Sequence, residues 1–230
     1  MAKIVVALDV EIQDAHKLIK VLSKEIEYYK IGHKLFTNNP EILTEINALG
    51  KKVFLDLKYH DIPSVVGLAI KAVTEKYKPF AITLHTSGGP KMMQEAVKAK
   101  NDLAKDLRPL LFGVTVLTSL GAEDLKALYG ITQPLEDVVI NLAKTARTCG
   151  LDGIVCSGRE LPLVKKECGK EFLTLVPGVQ LAAENFRSDQ NRTASIEDLA
   201  GIGDYFVIGR QITGASNPAE MAGKILNAIK

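Results

Sequence analysis

The stretch Phe54-Leu55-Asp56-Leu57-Lys58-Tyr59-His60-Asp61-Ile62-Pro63 gathers several ionisable groups at the end of an apolar run. Asp56 and Lys58 stand two apart, and side chains two apart on a strand share a face. A carboxylate and an ammonium are thereby set side by side. In a protein interior either charge alone costs several kcal/mol, so each needs a partner. Lys30, in Tyr28-Tyr29-Lys30-Ile31-Gly32, ends the preceding apolar run, and two lysines can then flank Asp56. At ~4 Å and an effective dielectric of ~20, each opposite-charge contact is worth about 4 kcal/mol before desolvation. Both lysines should stay protonated, which makes Lys58 a positioned acid. The same Asp56/Lys58 pair also fits a buried ion pair that merely fills the interior. Asp61, just before Pro63, stands where Asp commonly caps a helix. Residue types alone leave these readings open.

Bringing such groups together is a task for the whole chain. Short β-branched apolar runs alternate with longer amphipathic stretches, the pattern of repeated βα units around a parallel sheet. The runs lie near Lys3–Asp9, Tyr28–Gly32, Lys52–Lys58, Phe80–His85, Leu110–Leu117, Gly153–Cys156, Phe172–Pro177 and Tyr205–Ile208. Between them, Ile12–Ser23, Pro63–Tyr77, Lys91–Leu103 and Asp137–Thr148 carry apolar residues at three- and four-residue spacing and read as outer helices. Eight such units favour an α/β fold of the closed (β/α)8 TIM-barrel type over an open doubly wound sheet. The 230 residues suit that barrel, which typically needs roughly 200 to 250. No linker, composition shift or repeat breaks the alternation, so residues 1–230 read as a single domain. In such a barrel, functional groups collect at the C-terminal ends of the strands. The polar residues that end or interrupt the runs are Asp9, Lys30, Asp56 with Lys58, His85, Thr118, Ser157, Gln180 and Arg210. All would face one mouth.

Composition narrows the function classes. With 29 basic against 27 acidic residues and no dense Lys/Arg block, neither a nucleic-acid groove nor an anionic membrane surface is indicated. The start lacks a signal-peptide pattern, and no apolar run nears the ~18 residues of a membrane span. A cytoplasmic protein is expected. Cys149, Cys156 and Cys168 form an odd set without CxxC spacing, which favours buried thiols over disulfides or zinc. His33, His60 and His85 lie near strand ends but lack metal-ligand spacing, and they read as structural.

Asp56-Leu57-Lys58-Tyr59-His60-Asp61-Ile62-Pro63 resembles the DxKxxDIP signature of the orotidine 5'-phosphate decarboxylases. Ala7-Leu8-Asp9 is similar to the family's first-strand LD, Tyr29-Lys30-Ile31-Gly32 to its second-strand lysine, and Gly113-Val114-Thr115-Val116-Leu117-Thr118-Ser119 to its fifth-strand segment. Pro177-Gly178-Val179 and Val207-Ile208-Gly209-Arg210 resemble its last two strand ends. Five motifs in the family's order extend the likeness along nearly the whole chain. The resemblance implies that Lys30, Asp56, Lys58 and Asp61 form a catalytic charge network, with Asp61 and Ile62 reaching the active site of a homodimer partner. It implies conversion of orotidine 5'-monophosphate to uridine 5'-monophosphate and CO2 in pyrimidine biosynthesis, with no cofactor and no metal. Lys58 would stabilise and protonate a carbanion at C6 of the pyrimidine. Gly209 and Arg210 would grip the phosphate, as the last two βα loops of such barrels often do. Gln190 would bridge phosphate and pyrimidine, Asp9 would bind a ribose hydroxyl, and Thr118 would contact the pyrimidine edge.

Two positions depart from the family pattern. Gln180 stands where an arginine usually follows Pro-Gly-Val, and Arg187 is the candidate to replace that phosphate contact. Val65 stands where a hydroxylated residue often touches the ribose across the dimer. Neither change touches the charge network. Two other readings compete: a Mg²⁺-dependent sugar-phosphate decarboxylase or synthase of the same barrel superfamily, and a non-catalytic nucleotide-binding barrel. Members of the former typically carry glutamate where this chain has Lys30, and a lysine is poorly suited to ligating a hard cation.

Overall fold

The computed structural model describes residues 2–181 and 194–229. Eight parallel strands close into a barrel: β1 (Lys3–Ala7), β2 (Tyr28–Gly32), β3 (Lys52–Tyr59), β4 (Ala81–His85), β5 (Leu110–Val114), β6 (Gly153–Val155), β7 (Leu173–Pro177) and β8 (Tyr205–Ile208). Each strand pairs with its neighbours in sequence, and β8 closes on β1 from Lys3↔Tyr205 to Val6↔Ile208. The fold is therefore the (β/α)8 TIM barrel expected from the eight apolar runs.

Side-chain alternation explains why these strands need two buried faces. Val6, Tyr29, Val53, Leu55, Ile82, Leu84, Leu111, Ile154, Val176 and Phe206 pack outward among the helices. The intervening positions, including Val5, Tyr28, Phe54, Ala81, Phe112, Leu175 and Tyr205, fill the barrel interior. At the N-terminal end the rings of Tyr28, Phe54, Phe112 and Tyr205 interlock edge-to-face or tilted, with Phe54 and Tyr205 centroids 5.0 Å apart. That end is plugged with aromatic rings. Lys3 and Lys52 lie over the Tyr28 ring there, and the polar residues singled out above lie at the other end.

The helices follow the expected spacing, with small shifts of physical origin. Ile12–Leu22 stops one residue short of the expected end because Ser23 caps it. The helix expected at Lys91 begins at Gly89, since Pro90 is tolerated in a first turn where no amide partner is needed. Leu135–Thr148 likewise starts directly after Pro134. Strand β5 is shorter than its apolar run and ends at Val114, level with the last residue of its neighbour β6, Val155.

Strand β3 is the irregular one. Its register against β4 passes from Leu55↔Ile82 to Tyr59↔Leu84, so β3 advances four residues while β4 advances two. Lys58, inside this bulge, has φ 48°, in the left-handed region that side-chain-bearing residues rarely adopt. Bulges re-aim side chains at barrel rims, and this one carries the central lysine of the signature.

Candidate active site

A cavity of about 600 Å³ opens at the C-terminal ends of the strands. Asp9, Lys30, Asp56, Lys58, Thr118, Gln180, Gly209 and Arg210 all line it. Eight residues singled out in the sequence, from six separate βα units, thus share one site.

Its centre is a row of alternating charge. Lys30 Nζ donates to Asp9 Oδ1 at 3.1 Å and lies 3.4 Å from Asp56 Oδ2, and Lys58 Nζ donates to the same Oδ2 at 2.9 Å. The side chains of Lys30 and Asp56 are each only 12% exposed, so these are partners in a poorly hydrated place. Burial pulls the Lys30 ammonium down, yet the carboxylates of Asp56 and Asp9 overcome it and hold its pKa above the ordinary lysine value. Burial likewise pushes the Asp56 carboxyl up, but Lys30, Lys58 and hydrogen bonds from Lys58 and Thr83 hold it below the usual carboxylate range. Lys30 and Asp56 therefore both stay charged at neutral pH. Gly32 makes room for it, because a Cβ there would lie 3.1 Å from Asp9 Oδ1 and 3.4 Å from Lys30 Nζ.

In the single chain the alternation therefore runs Asp9, Lys30, Asp56, Lys58. Asp61 is exposed, is not among the residues lining the cavity, and accepts a hydrogen bond from Ile62 N at 2.7 Å. It does not cap the following helix, whose N-cap is Ile62 with Pro63 in the first turn. Ile62 is also outside the cavity and exposed, as are Val65 and Leu68 on that helix. Gln190 and Arg187 lie outside the described residues.

The opposite side of the mouth differs in character. The ring order β1-β8-β7-β6-β5-β4-β3-β2 sets β7 across from β3 and β8 across from β4. Gln180 follows β7, opposite the strand of Asp56 and Lys58, whereas Gly209 with Arg210 follows β8, which pairs with β1 and so stands beside the Asp9 end of the row; all three line the cavity. Gly178 makes the turn between Pro177 and Val179 with φ 73°, which glycine adopts without strain. Val114, Val155, Leu175 and Val207 form an apolar floor between the two polar sides.

Two polar residues of the site escaped the sequence reading. Thr83 is 1% exposed and bonds both Asp56 and the Lys58 backbone; its signal was an inward position on β4, two before His85. Gln211 is buried against the cavity wall, where its Oε1 accepts from Leu181 N at 3.2 Å, and no periodicity marks it. His85 is half-buried, 5.2 Å between ring centroids from His60; burial, His60 and Lys58 lower its pKa and favour the neutral ring. Among the described residues no group of three or more His, Cys, Asp or Glu is arranged to hold a metal ion. All three cysteines are buried. No described helix is long and apolar enough to cross a membrane.

A family model described as orotidine 5'-phosphate decarboxylase / HUMPS family matches residues 2–225. The chain is 38% identical over 235 residues to the orotidine 5'-phosphate decarboxylase of Syntrophomonas wolfei, covering 99% of this chain and 98% of that one. It is 40% identical over 230 residues to the Legionella pneumophila protein of the same name, covering 99% of each. Among solved structures it is similar to orotidine 5'-phosphate decarboxylase from Lactobacillus acidophilus, with TM-score 0.87, 29% identity and full coverage of both chains.

Proposed function

The chain belongs to the orotidine 5'-phosphate decarboxylase / HUMPS family, and from that premise we propose that it decarboxylates orotidine 5'-monophosphate to uridine 5'-monophosphate, a step of pyrimidine biosynthesis. The observation that carries this reading is the row in which Asp56 receives both Lys30 and Lys58, sharing one cavity with Gln180, Gly209 and Arg210. The phosphate would rest against Gly209 and Arg210, with Gln180 beside it, Gln190 and Arg187 coming from the loop between, and Asp9 and Thr118 contacting ribose and pyrimidine. Binding energy from that non-reacting end would hold the pyrimidine against the charges. As the bond from C6 to the carboxylate breaks, both electrons stay on C6 and neutral CO2 leaves. The Lys58 ammonium stabilises the developing negative charge and gives its proton to C6, and water later restores that proton. Asp56 keeps the two ammonium groups in place.

Lys30 favours this reading over a Mg²⁺-dependent sugar-phosphate enzyme. Its ammonium already neutralises Asp9 and Asp56, the oxygens a hard divalent cation would need. The exposed Ile62, Val65 and Leu68, beside Asp61, support a homodimer in which Asp61 and Ile62 complete the partner's site. A cytoplasmic location accords with the buried thiols.

Loss of orotidine 5'-monophosphate absorbance in the presence of EDTA tests the proposal. Wild-type protein should turn over rapidly, and Lys58→Ala should lower kcat by at least about a thousandfold, as expected when acid and electrostatic roles are removed together. Folded wild-type protein that is inactive with EDTA but active on sugar phosphates with Mg²⁺ would overturn it.

A further inference from the structure

Asp56 has two oxygens, and both lysines approach the same one. Oδ2 receives Lys58 Nζ at 2.9 Å and lies 3.4 Å from Lys30 Nζ, whereas Oδ1 receives the hydroxyl of Thr83 at 2.8 Å. The same hydroxyl oxygen accepts from the Lys58 backbone N–H at 3.0 Å. A hydroxyl that accepts from an amide has one proton left to give, and here it goes to Asp56. Thr83 lies on β4, 1% exposed, beside the stretch of β3 whose register slips between Leu55 and Tyr59. The bulge takes the Lys58 amide out of the β3–β4 ladder, and the side chain of Thr83 replaces the missing carbonyl.

We propose that Thr83 is a positioning residue of the decarboxylation: its hydroxyl bridges the Asp56 carboxylate and the Lys58 backbone and thereby sets where the Lys58 ammonium stands. The proposal rests on the decarboxylase reading above. Two adjustable parts meet at this one atom. The carboxylate is held with Oδ2 turned to both lysines, and the backbone that carries Lys58 is held at φ 48°, a conformation with little intrinsic preference. Only a hydroxyl accepts and donates at a single buried atom of this size. Valine keeps the shape of threonine and removes both hydrogen bonds, while serine keeps both and removes a methyl group.

The test compares wild type, Thr83→Val and Thr83→Ser in steady-state decarboxylation, with thermal unfolding to confirm folding. Loss of a hydrogen bond to a charged group should lower kcat of Thr83→Val by roughly 10- to 100-fold, with KM within about threefold, because phosphate contacts are untouched. Thr83→Ser should return kcat to within about threefold of wild type. A carbon-13 titration of the Asp56 carboxyl reads the bridge without substrate, and its midpoint should rise in Thr83→Val and not in Thr83→Ser. If Thr83→Val does not fold, Thr83→Ala supplies the comparison without a hydroxyl. A kcat unchanged in Thr83→Val, a Thr83→Ser variant as slow as Thr83→Val, or an unmoved titration midpoint would each overturn the proposal. Inactive wild type would instead sink the decarboxylase reading, with the titration still deciding whether the bridge holds Asp56.

Discussion

At the scale of single residues, the site depends on charges that are stable only in company. Asp56 is the common partner of Lys30 and Lys58, so Asp56→Asn should leave Lys58 without that carboxylate and Lys30 with Asp9 alone, two ammonium groups close together. Breaking an enclosed pair costs about 3–5 kcal/mol, and here the open mouth should reduce that to about 2 kcal/mol, measurable by urea unfolding. The pH dependence has a definite sign. The folded pKa of Asp56 lies below its ordinary 3.8, so its stabilisation is present above that value and disappears as pH falls through the lowered folded value. Lys30 is shifted the other way, so its contribution is complete below 10.5 and is lost as pH rises through the raised folded value. The difference between wild type and Asp56→Asn should therefore be largest across the neutral range and shrink in acid. A difference that grew toward low pH would contradict the assignment of Asp56 as the charged partner.

At the scale of elements, the Pro63–Tyr77 helix has one face against the barrel and another without cover. Val66, Ile70 and Val73 are buried, whereas Val65 is 43% and Leu68 69% exposed, close to Ile62 at 62%. Fully burying a leucine is worth about 1.5–3 kcal/mol, so three such residues around Asp61 suit association with a second copy. If the proposed homodimer forms through this face, Leu68→Glu should yield monomers in light scattering and lower kcat, since Asp61 and Ile62 would no longer reach a neighbouring site. A fully active monomer would show instead that Asp61 works within its own chain, or not at all.

At the scale of the whole molecule, the barrel divides its interior into an aromatic plug and a polar mouth, and the plug has little tolerance for gaps. Phe54 contacts the rings of Tyr28, Phe80, Phe112 and Tyr205 and is fully buried. Phe54→Ala should cost about 3–5 kcal/mol through lost burial and the cavity left behind. For a chain of this size that corresponds to roughly a 10 °C fall in the thermal midpoint, readable by calorimetry. A fall of only a degree or two would mean that the neighbouring rings collapse into the space.

The fold was legible because its signals are local and repeated. Apolar runs with two buried faces, alternating with amphipathic helical spacing, identify eight βα units, and strand ends then name most of the mouth: Asp9, Lys30, Asp56, Lys58, Thr118, Gln180, Gly209 and Arg210. Spacing could not specify the bulge at Lys58, because a left-handed residue in β3 is stabilised by a threonine 25 positions along the chain. Nor could it show that Asp9 pairs with Lys30, since that depends on which carboxylate barrel closure brings to Lys30 Nζ. Thr83 and Gln211 look like ordinary strand and helix residues until their partners arrive from other elements. Sequence determines which side chains point inward, a matter of backbone period; tertiary structure decides which of them touch, a matter of strand stagger and closure.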